Sequence, residues 1–183
     1  LSFLHFAYGK EFAYMHTVFH YSEDSAIADF QPRLHPSHPS LPPLVWAIDA
    51  ARAPMYYFPR DCPRIAFYAK PDSSSADKER FLGLTSAKMV IAIESRWYPI
   101  LAQTTLYQYT FAADSFSCLD EGAGYFVSKE PVQPLQVTAI CDLLACLGEA
   151  GIELRITPSL TPLKEALLDS SLHFSMIRMR NAR

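Results

Sequence analysis

No apolar run in this 183-residue chain approaches the ~20 residues needed to span a bilayer, so a transmembrane helix is not expected. Glycine is scarce: the six residues are scattered and form no glycine-rich loop able to cradle phosphates, which sets aside P-loop and dinucleotide-fold chemistry. Gly122-Ala123-Gly124 reads instead as a turn between strands. The four cysteines, Cys62, Cys118, Cys141 and Cys146, make neither a C-x-x-C pair nor the dense framework of a secreted scaffold. They read as reduced thiols of a cytoplasmic protein. There is no excess of positive charge, the formal net charge being -3, which argues against bulk attraction to nucleic-acid backbones. No nucleophile-elbow motif supports Ser-His-Asp catalysis. Residues 1 to 14 lack the basic-then-apolar order and small-residue cleavage site of a signal peptide. Because the first strand-like segment begins just after Met15, that residue is expected to be the natural start, with residues 1–14 a loosely held extension.

What is present is material for a core. Half the residues are hydrophobic and 13% are aromatic, against 19% charged, enough apolar surface to offset the ordering entropy that keeps polar chains disordered. The length fits a single globular domain over 15–183.

Thr17 to Tyr21 reads as a strand with Val18, His20 and Ser22 on one face, and Ser22 to Phe30 as a helix start. Five prolines between Gln31 and Leu44 make a long loop, either a lid or a disordered connection. Leu44 to Ile48, Arg64 to Ala69 and Lys88 to Ile93 read as strands, the last apolar enough to be central. Asp49 to Phe58 is expected to hold a short helix interrupted by Pro54, and Pro71 to Arg80 to be a polar loop. Thr105 to Phe111, Phe116 to Leu119 and Tyr125 to Ser128 complete a run of short strands. A helix is expected over Val137 to Ala150, closed by Gly151, then a strand over Ile152 to Ile156. A long helix opening at Thr161-Pro162 is expected to run through Leu167, Phe174 and Ile177. The pattern is α+β: a twisted, mixed or mostly antiparallel sheet over 15–136, with a C-terminal helix-strand-helix unit over 137–183.

Two separated segments carry candidate chemistry. His16-Thr17-Val18-Phe19-His20-Tyr21-Ser22 ends a strand in an imidazole and a hydroxyl, where side chains can leave a sheet to meet a ligand. Tyr125-Phe126-Val127-Ser128-Lys129-Glu130-Pro131 ends another in a hydroxyl and a carboxylate. The plainer reading of His20 and Ser22 is a satisfied polar pair inside the fold. Arg60 and Arg64 flank Asp61 and Cys62 and could clamp a pyrophosphate, or could simply pair with Asp61 in a turn. Cys62 has no identifiable base to activate it. His35 and His38 stand three apart on the proline-rich loop without a third ligand, so no metal site is expected. His173, Arg178 and Arg180 read as packing and charge-compensating residues of the final helix.

The His20-x-Ser22 strand end resembles the opening motif of ADP-ribosyltransferases of the rifamycin-modifying type. Leu44-Val45-Trp46-Ala47-Ile48 is similar to that family's aromatic-bearing second strand, although the family favours tyrosine where this chain has Trp46. Phe116-Ser117-Cys118-Leu119-Asp120 resembles its acidic motif in a less acidic context, and Tyr125 to Pro131 its later pocket strand. The resemblance implies an NAD site in which His20 bonds a ribose and Trp46 stacks near nicotinamide. Asp120 would be the catalytic carboxylate, with Ser22 and Ser128 in the same cleft. Glu130 and Glu94 stand as fallback acids. A carboxylate there would stabilise the oxocarbenium character that develops as a glycosidic bond breaks. The alternative is a non-catalytic module binding a ligand or a protein on the same scaffold. Val45 to Asp49, Pro59 to Arg64 and Phe174 to Asn181 also resemble a family of uncharacterised bacterial proteins, from which no activity carries over.

Overall fold

The computed structural model describes residues 17–36 and 38–183. The expected extension at 1–14 therefore lies outside the described residues. Ten strands follow in chain order: β1 Thr17–Ser22, β2 Val45–Ile48, β3 Arg64–Tyr68, β4 Met89–Glu94, β5 Leu106–Ala112, β6 Ser117–Asp120, β7 Tyr125–Ser128, β8 Gln136–Ile140, β9 Ile152–Thr157 and β10 His173–Ile177. They form two sheets. The first is antiparallel in the order β6-β7-β2-β1-β5-β8, and the second has the order β10-β3-β4-β9 with β4 and β9 parallel. The α+β class with mixed sheets is as expected.

Alternation in β4 explains its continuous apolar run. Ile91 and Ile93 pack toward Met55, Phe58, Leu101 and Leu106, joining the two sheets through a shared cluster. Val90 and Ala92 face the opposite side, with Ile65, Phe67, Leu160 and Leu167. A strand buried on both faces has no position for a polar residue until its end. Its end is Glu94. The other face of the first sheet carries a third cluster, Val18, Val45, Ala47, Tyr109 and Phe111, closed by Phe30 and Val132.

Four α-helices occur among the described residues: α1 Ser75–Asp77, continued as a wider turn over Lys78–Leu82, α2 Tyr98–Leu101, α3 Leu143–Glu149 and α4 Thr161–Leu168. Pro71 to Arg80 is thus not all loop. Ser74 caps α1 by accepting from the Asp77 amide at 3.1 Å, and Asp77 in turn holds the Ser171 amide and hydroxyl. The helix expected from Val137 begins only at Leu143, because Gln136–Ile140 pairs with β5 and Asp142 supplies the cap, accepting from the Ala145 amide. Asp49 to Phe58 holds a 3-10 turn over Ala53–Tyr56.

The final helix also stops early. Asp169-Ser170-Ser171 turns the chain, and the following residues pair antiparallel with β3 as β10, with Phe174 and Met176 on the side of the second cluster. Period-two burial at a sheet edge outweighs the helical pattern read into Phe174 and Ile177. His173 accordingly sits in a strand, its ring stacked on Tyr68 at 4.7 Å. No helix follows β1. Ser22 Oγ accepts from the Asp24 amide and Asp24 Oδ1 from the Ala26 amide, local bonds that compete with helical ones. Among the described residues no helix is long and apolar enough to cross a membrane.

Candidate functional site

β1 and β2 share one residue pair, Phe19 with Ile48, and then part. His20 fills the opening: its Nδ1 lies 3.1 Å from the Trp46 carbonyl. A carbonyl only accepts, so the neutral ring carries its proton on Nδ1 and leaves Nε2 a lone pair. Burial lowers the His20 pKa; the Trp46 bond opposes this in part, while Arg60 and Arg33 add to the lowering. The ring is therefore neutral near pH 7 and packs edge-on against Phe30 at 5.0 Å.

Because Val45 and Ala47 share the face of Phe30 and Val18, alternation turns Trp46 to the other face. There it meets Tyr125 at 5.5 Å, His35 at 4.8 Å and His38, which stacks on the indole at 4.9 Å and 23°. The sheet thus divides residues that the sequence suggested would share one cleft: His20 reaches Trp46 only through its backbone carbonyl. The proline-rich loop is folded over Trp46, and its base is tied by mutual backbone bonds between Arg33 and Leu44. The indole Nε1 is buried with no hydrogen-bond partner among the described residues.

The Arg178 guanidinium borders this aromatic wall. Arg178 is the one non-glycine residue among those described with positive φ, 56°, a left-handed conformation disfavoured for a side chain with Cβ. Its Nε donates to the Arg60 carbonyl at 3.1 Å. Its charge is felt by His35, whose pKa is lowered by burial, then by His38 and Arg178. Tyr56 lies on the same side, its hydroxyl 3.5 Å from that of Tyr125 and its pKa raised chiefly by burial. Arg64 is buried, donating to the Met55 and Cys62 carbonyls at 2.6 and 2.9 Å with the rings of Tyr56 and Phe58 nearby. Burial pushes its pKa down to about 10. It props the wall from behind and does not pair with Asp61 through these bonds. Arg60 is exposed, and its amide is held by Glu23 at 2.7 Å.

The carboxylates and serines are dispersed. Asp120 ends edge strand β6, is exposed, and accepts the Ala123 amide at 3.0 Å across the hairpin turn. It lines a 180 Å³ pocket with Tyr125, His173 and Met55, so Tyr125 is a wall common to this pocket and the Trp46 cluster. Ser128 is buried and closes its own turn, bonding both the amide and the carbonyl of Glu130, whose residue is exposed. Ser22 is engaged by the Asp24 amide. Glu94 is only 1% exposed and lies in the fold's interior, accepting from the Arg183 amide at 2.7 Å and from Arg96 at 2.9 Å. Burial pushes the Cys62 thiol up to about 12, far from a thiolate at neutral pH. No group of three metal-ligating side chains occurs among the described residues.

Sequence reasoning missed Arg178 because it placed that residue on a helix, and a left-handed backbone has no side-chain signature outside glycine and asparagine. It missed Tyr56 as a partner of Tyr125 for want of any sequence link across 69 residues. No curated protein and no solved structure matches the chain. A family model described as a family of unknown function, DUF6886, matches residues 19–182, including the His20 end of β1, the Trp46 strand and the Arg178 segment. The chain belongs to that family.

Proposed function

We propose that the chain binds a nucleotide of the NAD type against Trp46, with the proline-rich loop opening to admit it. The observation that carries this reading is the juxtaposition of an aromatic wall with a guanidinium: Trp46, met edge-on by Tyr125, and Tyr56, bordered by Arg178. A planar base suits the wall and a phosphate suits the Arg178 guanidinium. Two further features support it. The buried Trp46 Nε1 lacks a partner that a ligand oxygen could supply, and His38 occupies the stacking face much as a heteroaromatic base would. Arg178 keeps a costly backbone conformation, a kind of strain that clusters at functional sites.

In this reading His20 is a positioning residue: neutral and buried, it fixes the Trp46 carbonyl and through it the strand that presents the indole. Ser22, Ser128 and Arg64 hold the surrounding turns. Asp120 would meet the far end of the ligand across Tyr125. If it acts there on NAD, the bond to nicotinamide breaks with its electron pair leaving on the nicotinamide nitrogen, the carboxylate offsets the positive charge left on the ribose, and water adds to that carbon with loss of a proton. The exposed, turn-capping setting of Asp120 favours the second reading, a binding module without turnover. The four free thiols fit a cytoplasmic setting, where they would stay reduced.

The test is calorimetric titration with NAD alongside an assay of nicotinamide release. Saturable binding that weakens in Trp46→Ala supports the site. Release by the parent chain but not by Asp120→Asn adds the transferase-like activity, and binding without release leaves the module. Absence of binding at about 1 mM NAD, a ΔG weaker than about −4 kcal/mol, overturns the proposal.

A further inference from the structure

On the other side of the 3-10 turn from Tyr56 lies a separate cavity of about 460 Å³ between that turn, β3, β4 and the start of β9. Tyr57, Tyr68, Met89 and Ile152 form much of its wall, and the charged side chains lining it are both cations, Arg52 and Lys88. The tyrosines are fixed from behind, Tyr57 by an edge contact with Tyr21 at 5.2 Å and Tyr68 by its stack on His173. Neither cation forms an ion pair among the described residues.

Arg52 is held at two points. Its amide donates to Asp49 Oδ1 at 2.7 Å, and its Nη2 donates to the Gly122 carbonyl at 3.2 Å. Its Nε is nevertheless buried and has no hydrogen-bond partner among the described residues. A buried guanidinium donor left without an acceptor is unusual in a folded chain, and a turn of the Arg52 side chain into the cavity it lines would give that donor an oxyanion. The neighbouring carboxylates, Asp49 and Asp120, are engaged with backbone amides. Lys88 is exposed and lies along Gly151, where it can swing over the mouth.

We infer that this cavity binds a small aromatic anion, its planar ring between Tyr57 and Tyr68 and its oxyanion at Arg52 and Lys88. The volume lies within the range of small-molecule sites, and an apolar wall with a few convergent polar groups is their usual construction. The inference does not depend on NAD binding at Trp46.

The probes are phenyl phosphate and benzoate, with inorganic phosphate and phenol each supplying one half of the chemistry, titrated against the full chain and followed by NMR. At least one aryl anion is expected to saturate at an affinity about tenfold or more above both half-probes. Arg52→Met is expected to abolish that advantage, and Lys88→Met to reduce it about threefold or more; Lys88 is exposed, so its variant keeps the fold if Arg52→Met does not. Preference for phenyl phosphate or for benzoate identifies the oxyanion, and either supports the site. Binding of both aryl anions no tighter than the half-probes, or equal binding in the parent chain and Lys88→Met, overturns it.

Discussion

Replacing Glu94 by Gln separates an architectural carboxylate from a catalytic one. Glu94 ends the buried strand β4 and is 1% exposed. Its two oxygens accept from the Arg183 amide at 2.7 Å and Arg96 Nε at 2.9 Å, while Arg96 also donates to the Asn181 carbonyl. The carboxylate therefore fastens the segment that carries Arg178. Gln keeps one accepting oxygen and turns the other into a donor facing a cation. The Arg96 side chain is 35% exposed, so screening discounts the ion pair to well under ~1 kcal/mol. Most of the loss comes from one buried charge-assisted bond, about 1.5–3 kcal/mol. In a chain of this length each kcal/mol moves the melting temperature by roughly 2–4 °C, so Glu94→Gln should melt about 3–12 °C lower at neutral pH. Burial pushes the Glu94 pKa up, but the Arg183 amide and Arg96 outweigh it and hold the carboxyl below its usual value. A lowered carboxyl pKa contributes stability above the unfolded value, ~4.3, and loses it as pH falls through the folded value. The gap between parent and variant in circular-dichroism melts should therefore narrow in acid. A variant melting within about 1 °C of the parent at neutral pH, or a gap that widens in acid, refutes the reasoning.

Folded-state pKa values of His20, His35 and His173 are all lowered, chiefly by burial, so the unfolded chain takes up protons first and stability should decline as pH falls below ~6.5. Urea denaturation of the parent and His20→Asn should show a shallower decline in the variant. Arg178→Gly relieves a left-handed side-chain residue, worth ~1–2 kcal/mol, against loss of one bond to the Arg60 carbonyl. It should leave the melting temperature within about 4 °C while weakening NAD binding about tenfold or more. Gly124→Ala is expected to destabilise by ~1–3 kcal/mol in denaturant titration, since φ is +70° and a Cβ would stand 2.7 Å from the Asp49 carboxylate that caps the Arg52 amide.

The strands were readable where burial is one-sided or complete: Val45–Ile48, Met89–Glu94 and Tyr125–Ser128 fall within a residue or so of expectation because β-branched and aromatic runs bounded by turn residues have few alternatives. The C-terminal third was less legible. Leu163 and Leu167 are truly helical, but Phe174 and Ile177 continue the same spacing by coincidence, and only pairing with β3 shows that they belong to a strand. Ser74 and Asp77 formed a cap hidden inside a polar run. At the candidate site, the sequence marked Trp46, Tyr125 and the arginine-rich turn but not their mutual placement. Alternation places His20 on the Val18 face, as expected, but that Trp46 takes the opposite face depends on how the strands pair, which no local pattern encodes.

The central claim is that Trp46 is the ligand's stacking surface, and the indole resonances test it most directly. The chain has two tryptophans, and both Trp46 and Trp97 have buried Nε1 groups without partners among the described residues. In a nitrogen-15 spectrum assigned with Trp46→Phe, NAD should shift the Trp46 indole resonance saturably and leave that of Trp97, beside Arg96, in place. Equal movement of both, or of neither, contradicts the account.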